Sequence, residues 1–152
     1  RMWRDYVQGG EQAAYLVDDQ GNRGCLGDEQ SFVIMGDLNA DPIDGSGRHE
    51  SIQALLDCDR VASIPAPRSE GAVEAAQKQK RQNLTHRGNA AEDTGDFNDG
   101  NPGNLRCDFV LPSRNLKVVG SGVFWPSQSQ LADWDKDLLE ATDHRLVWMD
   151  LM

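Results

Sequence analysis

Long apolar runs are missing from this chain of 152 residues. No stretch approaches the roughly 18 residues that a membrane span needs, which excludes a transmembrane helix. Cysteine is scarce as well: Cys25, Cys58 and Cys107 have no C-x-x-C spacing, so a zinc knuckle or a thioredoxin-type motif is excluded. Cys25 lies in a Gly-rich turn and Cys58 near a helix end, which leaves a disulfide or two free thiols as alternatives. Cys107 stands in an apolar run and reads as a small buried hydrophobe. Basic residues are in deficit, with 15 Lys and Arg against 25 Asp and Glu, for a formal charge of −10. Such a surface repels phosphate backbones at long range and rules out non-specific coating of nucleic acid. It does not exclude cleavage of phosphate esters, because a bound divalent cation inverts the local field.

Several familiar loops are absent too. Gly120-Ser121-Gly122 lacks the third glycine of a dinucleotide-binding turn, and no nucleophile elbow or Walker A string occurs. Asp37, Asn39 and Asp41 imitate the start of an EF-hand loop, but Pro42 and Arg48 stand where its Gly and Glu belong. The first residues, Arg1-Met2-Trp3-Arg4, show no targeting pattern. They read as the interior of a helix, so the chain is expected to be part of a longer protein. High acidity with 15 glycines suits a secreted or periplasmic protein better than a cytosolic one.

What is present is enough for one domain of ordinary size. Met2, Trp3, Tyr6 and Val7 have helical spacing that Gly9-Gly10 ends. A short hairpin is expected from residue 13 to Leu26, turning at Asp18–Gly21. Ser31–Met35 reads as a buried strand stopped by Gly36. Ile52, Leu55 and Leu56 mark one face of a short helix. Ser69 is placed to cap a helix over Ala72–Gln79. Residues 62–104 otherwise read as the least ordered part, with Glu92–Asn104 as an exposed loop. Leu105–Leu111 and Leu116–Trp125 read as two strands joined by a hairpin turn at Pro112–Asn115. Leu131, Trp134, Leu138 and Leu139 recur at helical spacing, and Leu146–Leu151 closes the chain as a strand.

Three polar clusters sit against these strands: Gly36-Asp37-Leu38-Asn39, Arg106-Cys107-Asp108 and Asp143-His144. Strand ends hold side chains rigidly at a cleft. An Asp offers hard oxygen to Mg²⁺, a His moves a proton or contacts phosphoryl oxygens, a second Asp orients that His, and an Asn donates to a developing oxyanion. Each cluster also has a plainer reading. Asp37 and Asn39 suit a turn bonded to its own backbone, and Asp108 suits a salt bridge with Arg106 on the same strand face. Asp143-His144 suits a strand-entry turn. Asp93, Asp96 and Asp99 read as a solvated loop rather than a calcium site. His49 and His86 read as surface residues, and Lys78–Arg81 as a solvated helix face.

The three clusters taken together, as GDLNADP, LRCDFVLPS and TDHRLVWMDL in that order, resemble the late motifs of the endonuclease/exonuclease/phosphatase superfamily, the deoxyribonuclease I-like fold. The resemblance covers residues 33–151. Thr142 replaces the usual Ser. The stretch Gly122–Pro126 is similar to a bacterial branch of the family. The resemblance implies an α/β fold, a layered sandwich of mixed, largely antiparallel sheet, of which residues 1–152 would be the C-terminal portion of one domain. It implies that Asp37 positions or deprotonates the attacking water and that Asn39 touches the scissile phosphate. It further implies that Asp108 orients His144, that His144 contacts the phosphate or transfers a proton, and that Asp143 binds the metal or lies near it. Arg106 would support the site.

The family's earlier Asn and metal-binding Glu have no counterpart here in strand context. The chain alone is therefore expected to be weak or inactive, to leave a sheet edge or face bare, and to self-associate or show disordered loops around 62–104. The expected activity is divalent-metal-dependent hydrolysis of a phosphodiester, with Mg²⁺, or else Mn²⁺ or Ca²⁺, as cofactor. The alternatives are a lipid- or sugar-phosphate phosphatase and a non-catalytic binding module on the same fold.

Overall fold

A computed structural model describes the backbone of residues 1–152 and all side chains except those of 133–135. Helix α1 (Met2–Gln8) ends at Gly9, whose φ of 74° is a conformation that glycine adopts without steric cost. The hairpin expected before Leu26 is reduced to a single bridge, Val17 to Arg23. Its turn is held by the Asp18 carboxylate, which accepts the N–H groups of Gln20 and Asn22. Strand β1 (Val33–Asp37) then runs antiparallel to β4 (Asp108–Pro112), with Asp37 opposite Asp108.

Alternation decides the two faces of this pair. Ile34, Leu111 and Phe109 point to a core completed by Val7 of α1 and by Ile52 and Leu55 of α2 (His49–Leu56). Phe109 is 2% exposed, and burying such a ring is worth roughly 1.5–3 kcal/mol. The other face carries Asp37 and Met35, the latter 73% exposed. β1 is thus half-buried rather than buried, and it extends through Gly36 to Asp37.

The second core lies on β5 (Val118–Phe124) and β6 (Leu146–Leu151), also antiparallel. Val123, Trp125 and Val147 pack there against Ala72 and Ala75 of α3 (Glu70–Gln79) and Leu139 of α4 (Asp133–Ala141). Ser69 caps α3 as expected, accepting the Ala72 N–H at 3.3 Å. In α4 the helix starts after Leu131, Leu138 is half-exposed, and the Trp134 side chain lies outside the described residues.

Two expectations for the middle of the chain are overturned. The Leu105–Leu111 run is not one strand, nor is it the partner of the next. Asn104–Leu105 form β3 and pair with β2 (Gly95–Asp96), while β4 pairs with β1. The break falls at Arg106, whose N–H is taken by the Asp41 carboxylate at 2.8 Å instead of by a strand. After Pro112 the chain leaves β4 and starts the separate β5–β6 sheet, so Pro112–Asn115 join two sheets rather than one hairpin.

Glu92–Asn104 is likewise no exposed loop: Asp93, Thr94 and Asn104 are buried. Residues 62–104 are instead threaded through α3, short 3₁₀ turns and the β2–β3 pair. All three cysteines are free, and the Cys58 thiol donates to Gln8 at 3.0 Å, so no Cys25–Cys58 disulfide forms. The fold is mixed α/β with small antiparallel sheets, each larger sheet backed by helices on one face.

Candidate active site

The site begins with register. Asp37 ends β1, Asp108 begins β4, and the two are cross-strand partners on the uncovered face. Facing carboxylates repel, so one of them needs a cation or a proton. His144 supplies it. Its Nδ1 lies 2.9 and 3.1 Å from the two Asp108 oxygens. A carboxylate only accepts, so Nδ1 carries the hydrogen and Nε2 is left without a hydrogen-bond partner among the described residues.

His144 stands in the turn before β6, far from β4 in sequence, and the buried middle segment brings it in. Gly95 of β2 bridges to His144, Arg145 N–H donates to the Thr94 carbonyl at 2.7 Å, and Asp96 N–H donates to the Asp143 carbonyl at 2.7 Å. The Arg145 guanidinium, 6% exposed, locks the junction by binding Asp96 at 2.7 Å and the Thr142 carbonyl, and it stacks on Trp125. Thr142 Oγ1 accepts the His144 N–H at 3.1 Å, so the strand-entry turn and the functional placement coexist.

Thr94 is the residue that sequence reasoning missed. Its hydroxyl accepts the N–H groups of Cys107 and Asp108 at 3.0 and 2.9 Å and donates to Asp108 Oδ2 at 2.9 Å. It therefore fixes both the start of β4 and the carboxylate that holds His144. Its only local signal was a Thr among Asp and Gly, which looks like loop composition. The Phe97 ring, equally unmarked in sequence, meets His144 edge-on at 5.4 Å. Gly95 makes room for it, since a Cβ there would lie 2.4 Å from that ring.

Asp37 is exposed and accepts from Asn39 twice, from the backbone N–H at 2.7 Å and from Nδ2 at 2.9 Å. Asn39 has φ 51°, a left-handed conformation that Asn tolerates better than most residues. The turn reading of Asp37 and Asn39 is thus realised, with the Asp37 carboxylate still open to solvent. Arg106 does not pair with Asp108. It turns toward Glu92 at 3.8 Å and stacks on Phe109 at 4.8 Å, because the strand break removes the shared face that an i, i+2 pair requires.

Ligand-type atoms of Asp37, Cys107, Asp108 and His144 all lie within 4.8 Å of one another. Asp143 is exposed and is not one of these four. Asp93, Asp96 and Asp99 form no such group among the described residues: Asp96 is committed to Arg145 and Gln79. His49 and His86 bond to backbone carbonyls at 2.9 Å, both away from this group.

The hydrogen bond to Asp108 raises the His144 pKa above its ordinary value, with the charges of Asp108, Asp37 and Asp143 adding to it and partial burial opposing. Burial and the adjacent Asp108 carboxylate push the Cys107 thiol far up, so it is a neutral donor, bonded to Asp108 at 3.3 Å. Beside the group opens a cleft of about 490 Å³, walled by Asn39, Asp41, Asp44, Phe97 and Leu105, with neither Lys nor Arg among the described residues of its lining.

Strand-borne Asp37 with Asn39, Asp108 and the Asp143-His144 turn thus converge at one end of the β1–β4 pair. The sequence pattern of the Endonuclease/Exonuclease/phosphatase family matches residues 2–144, and the chain belongs to that family. It is a family of hydrolases acting on phosphate esters. In comparisons with curated proteins and with solved structures, nothing matches.

Proposed function

We propose that this site hydrolyses a phosphodiester with the help of a divalent cation. The observation that carries the reading is the Asp108–His144 pair, 2.9 Å apart, with Nε2 unpartnered among the described residues and the exposed Asp37 across the register. Asp108 holds the imidazole in one tautomer and favours its cationic form. His144 is then suited to meet a phosphoryl oxygen as a cation and to give a proton to the leaving oxygen. Asp37, fixed by two hydrogen bonds from Asn39, is suited to orient or deprotonate water. The Asn39 amide, held beside Asp37, is suited to touch the scissile phosphate. Arg106 supports the site from behind through Asp41 and Phe109.

Exposed carboxylates at Asp143 and Asp37 are hard-oxygen donors that fit Mg²⁺ in kind, and one or two suffice when phosphate and water complete the shell. Mn²⁺ or Ca²⁺ would be accepted by the same donors. When bound, such an ion supplies positive charge to phosphoryl oxygens, which a chain of net charge −10 otherwise repels.

The cleft favours a second reading. With acids and no Lys or Arg among the described residues of its lining, it suits a substrate with one phosphate, such as a lipid- or sugar-phosphate ester, better than a polyanion. Hydrolysis of plasmid DNA and of an aryl phosphodiester, with Mg²⁺ and with chelator, separates the two. Metal-dependent cleavage of both supports a nuclease, and cleavage of the aryl ester alone supports the small-substrate reading. Failure of the folded, full-length protein to cleave either would leave a binding module on this fold.

A further inference from the structure

The donor set at the end of β4 is not the one that Mg²⁺ chemistry calls for. Two of its four atoms are a thiol sulfur and an imidazole nitrogen, ligands that select borderline-soft ions over Mg²⁺. The spacing agrees. Tetrahedral zinc with bonds of about 2.0–2.3 Å sets neighbouring ligand atoms about 3.3–3.8 Å apart. Here Asp108 Oδ2 lies 2.9 Å from His144 Nδ1 and 3.3 Å from Cys107 Sγ, and Sγ lies 4.0 Å from Nδ1. Small side-chain rotations would bring these atoms to a tetrahedral site. Thr94 and the β1–β4 register already fix the backbone that carries three of the four ligands.

We propose that Cys107 Sγ, His144 Nδ1, Asp108 and Asp37 form a site for a borderline-soft divalent cation such as zinc, and that filling it switches hydrolysis off. The second half of this statement rests on the reading given under Proposed function. The switch follows from shared atoms. The Nδ1 that would bind the ion is the nitrogen that Asp108 now holds, and Asp37 would be withdrawn from water. On binding, the Zn–S bond forms as the thiol proton leaves to solvent. Neutral His144 shifts its proton from Nδ1 to Nε2, so an imidazolium would release one proton more. The ion itself overcomes the reluctance of a buried thiol to ionise. Access is from the Asp37 side, which is exposed, while Cys107 at 3% exposure forms the floor.

The test has a binding arm that needs no activity. Titration of the protein with Zn²⁺ in a calorimeter should give one site. Substitution by Co²⁺ should produce a sulfur-to-cobalt charge-transfer absorption. Cys107→Ser, which keeps a hydrogen-bond donor of similar size, should lose that absorption and weaken Zn²⁺ binding at least tenfold. The exposed Asp37→Asn should weaken it too without disturbing the core. Retention of Zn²⁺ affinity within twofold in both variants, or Co²⁺ binding without the sulfur band, would overturn the site.

In the activity arm, with each protein measured against its own zinc-free rate over excess Mg²⁺, the Zn²⁺ concentration that halves aryl phosphodiester hydrolysis should be at least tenfold higher for Cys107→Ser than for the native protein. Equal inhibition of both proteins would overturn the switch. No hydrolysis under any condition would instead remove the functional reading, while the binding arm still decides the site.

Discussion

Two acidic clusters flank the turn at Asn39, and they use the same residue type to opposite ends. In one, Asp37 and Asp108 face each other on the open side of β1–β4, where Asp108 holds the imidazole of His144 and the charge of Asp37 also favours its cation. In the other, Asp41, Asp44 and Asp93 are turned inward. Asp41, 7% exposed, accepts the N–H groups of Ile43, Asp44 and Arg106, and Asp44 accepts those of Arg87 and Gly88. These are staples that tie the loop after β1 to the segments around residues 88 and 106. Asp93 has no such donors among the described residues. Burial first, then the charges of Asp41, Asp44 and Glu92, push its carboxyl up to about 8. An aspartate's work is therefore set by which donors reach it. A cation across a register leaves it available for chemistry, backbone amides make it structural, and their absence makes it neutral.

The largest expected effect separates the clusters by activity. His144→Ala and Asp37→Ala should each cut turnover about a hundredfold or more, the scale of one acid–base group. Asp108→Asn should cost less if it only orients the imidazole, and equal losses in all three would mean that they act as a unit. Full activity in His144→Ala would remove the functional reading.

Stability should divide them the other way. Asp41→Ala strands three part-buried N–H groups and should cost about 2 kcal/mol in denaturant unfolding, against about 1 kcal/mol or less for exposed Asp37→Ala. Similar losses at both positions would break the contrast.

Asp93 gives a pH-dependent test. Its carboxyl ionises near 3.8 when unfolded and near 8 when folded. The folded state holds the extra proton between those values, so stability falls as pH rises from about 4 to 8, and the cost is complete above 8. Asp93→Asn should stabilise the protein by about 2 kcal/mol at pH 9, with the gain fading toward pH 4. A gain that does not vary with pH would mean that the carboxyl is not desolvated.

The smallest effect concerns His144, whose pKa is raised by Asp108. The contribution of their pairing to stability is complete below the unfolded value of 6.5 and is lost as pH rises through the higher folded value. The activity of the cationic form should fall over the same window. Asp108→Asn should move that alkaline limb to lower pH, seen in kcat against pH. An unmoved limb would assign it to another group.

Local signals were readable wherever one side chain or one period decides the outcome. Gly9 ending α1, Ser69 capping α3, the apolar face of α2 and the bounds of β6 all follow from nearest neighbours along the chain, whereas of the apolar residues of α1 only Val7 is buried and Met2, Trp3 and Tyr6 stay exposed. The motifs around Asp37, Asp108 and His144 were visible for the same reason, being short and set against strands.

What the sequence could not determine depends on partners distant in the chain. Leu105–Leu111 reads as one strand because periodicity is blind to Asp41, whose carboxylate takes the Arg106 N–H and splits the run between two sheets. Glu92–Asn104 reads as solvent-exposed because polar residues normally are. Only the fold supplies the hydrogen bonds that let Thr94 and Asn104 be buried, and so makes Thr94 the anchor of Asp108. Composition determined the acidic charge, the absence of a spanning helix and the chemistry on offer. Which carboxylate meets a cation, which meets amides and which keeps its proton was decided in three dimensions, because solvation and pairing belong to the surroundings of a group and not to its place in the chain.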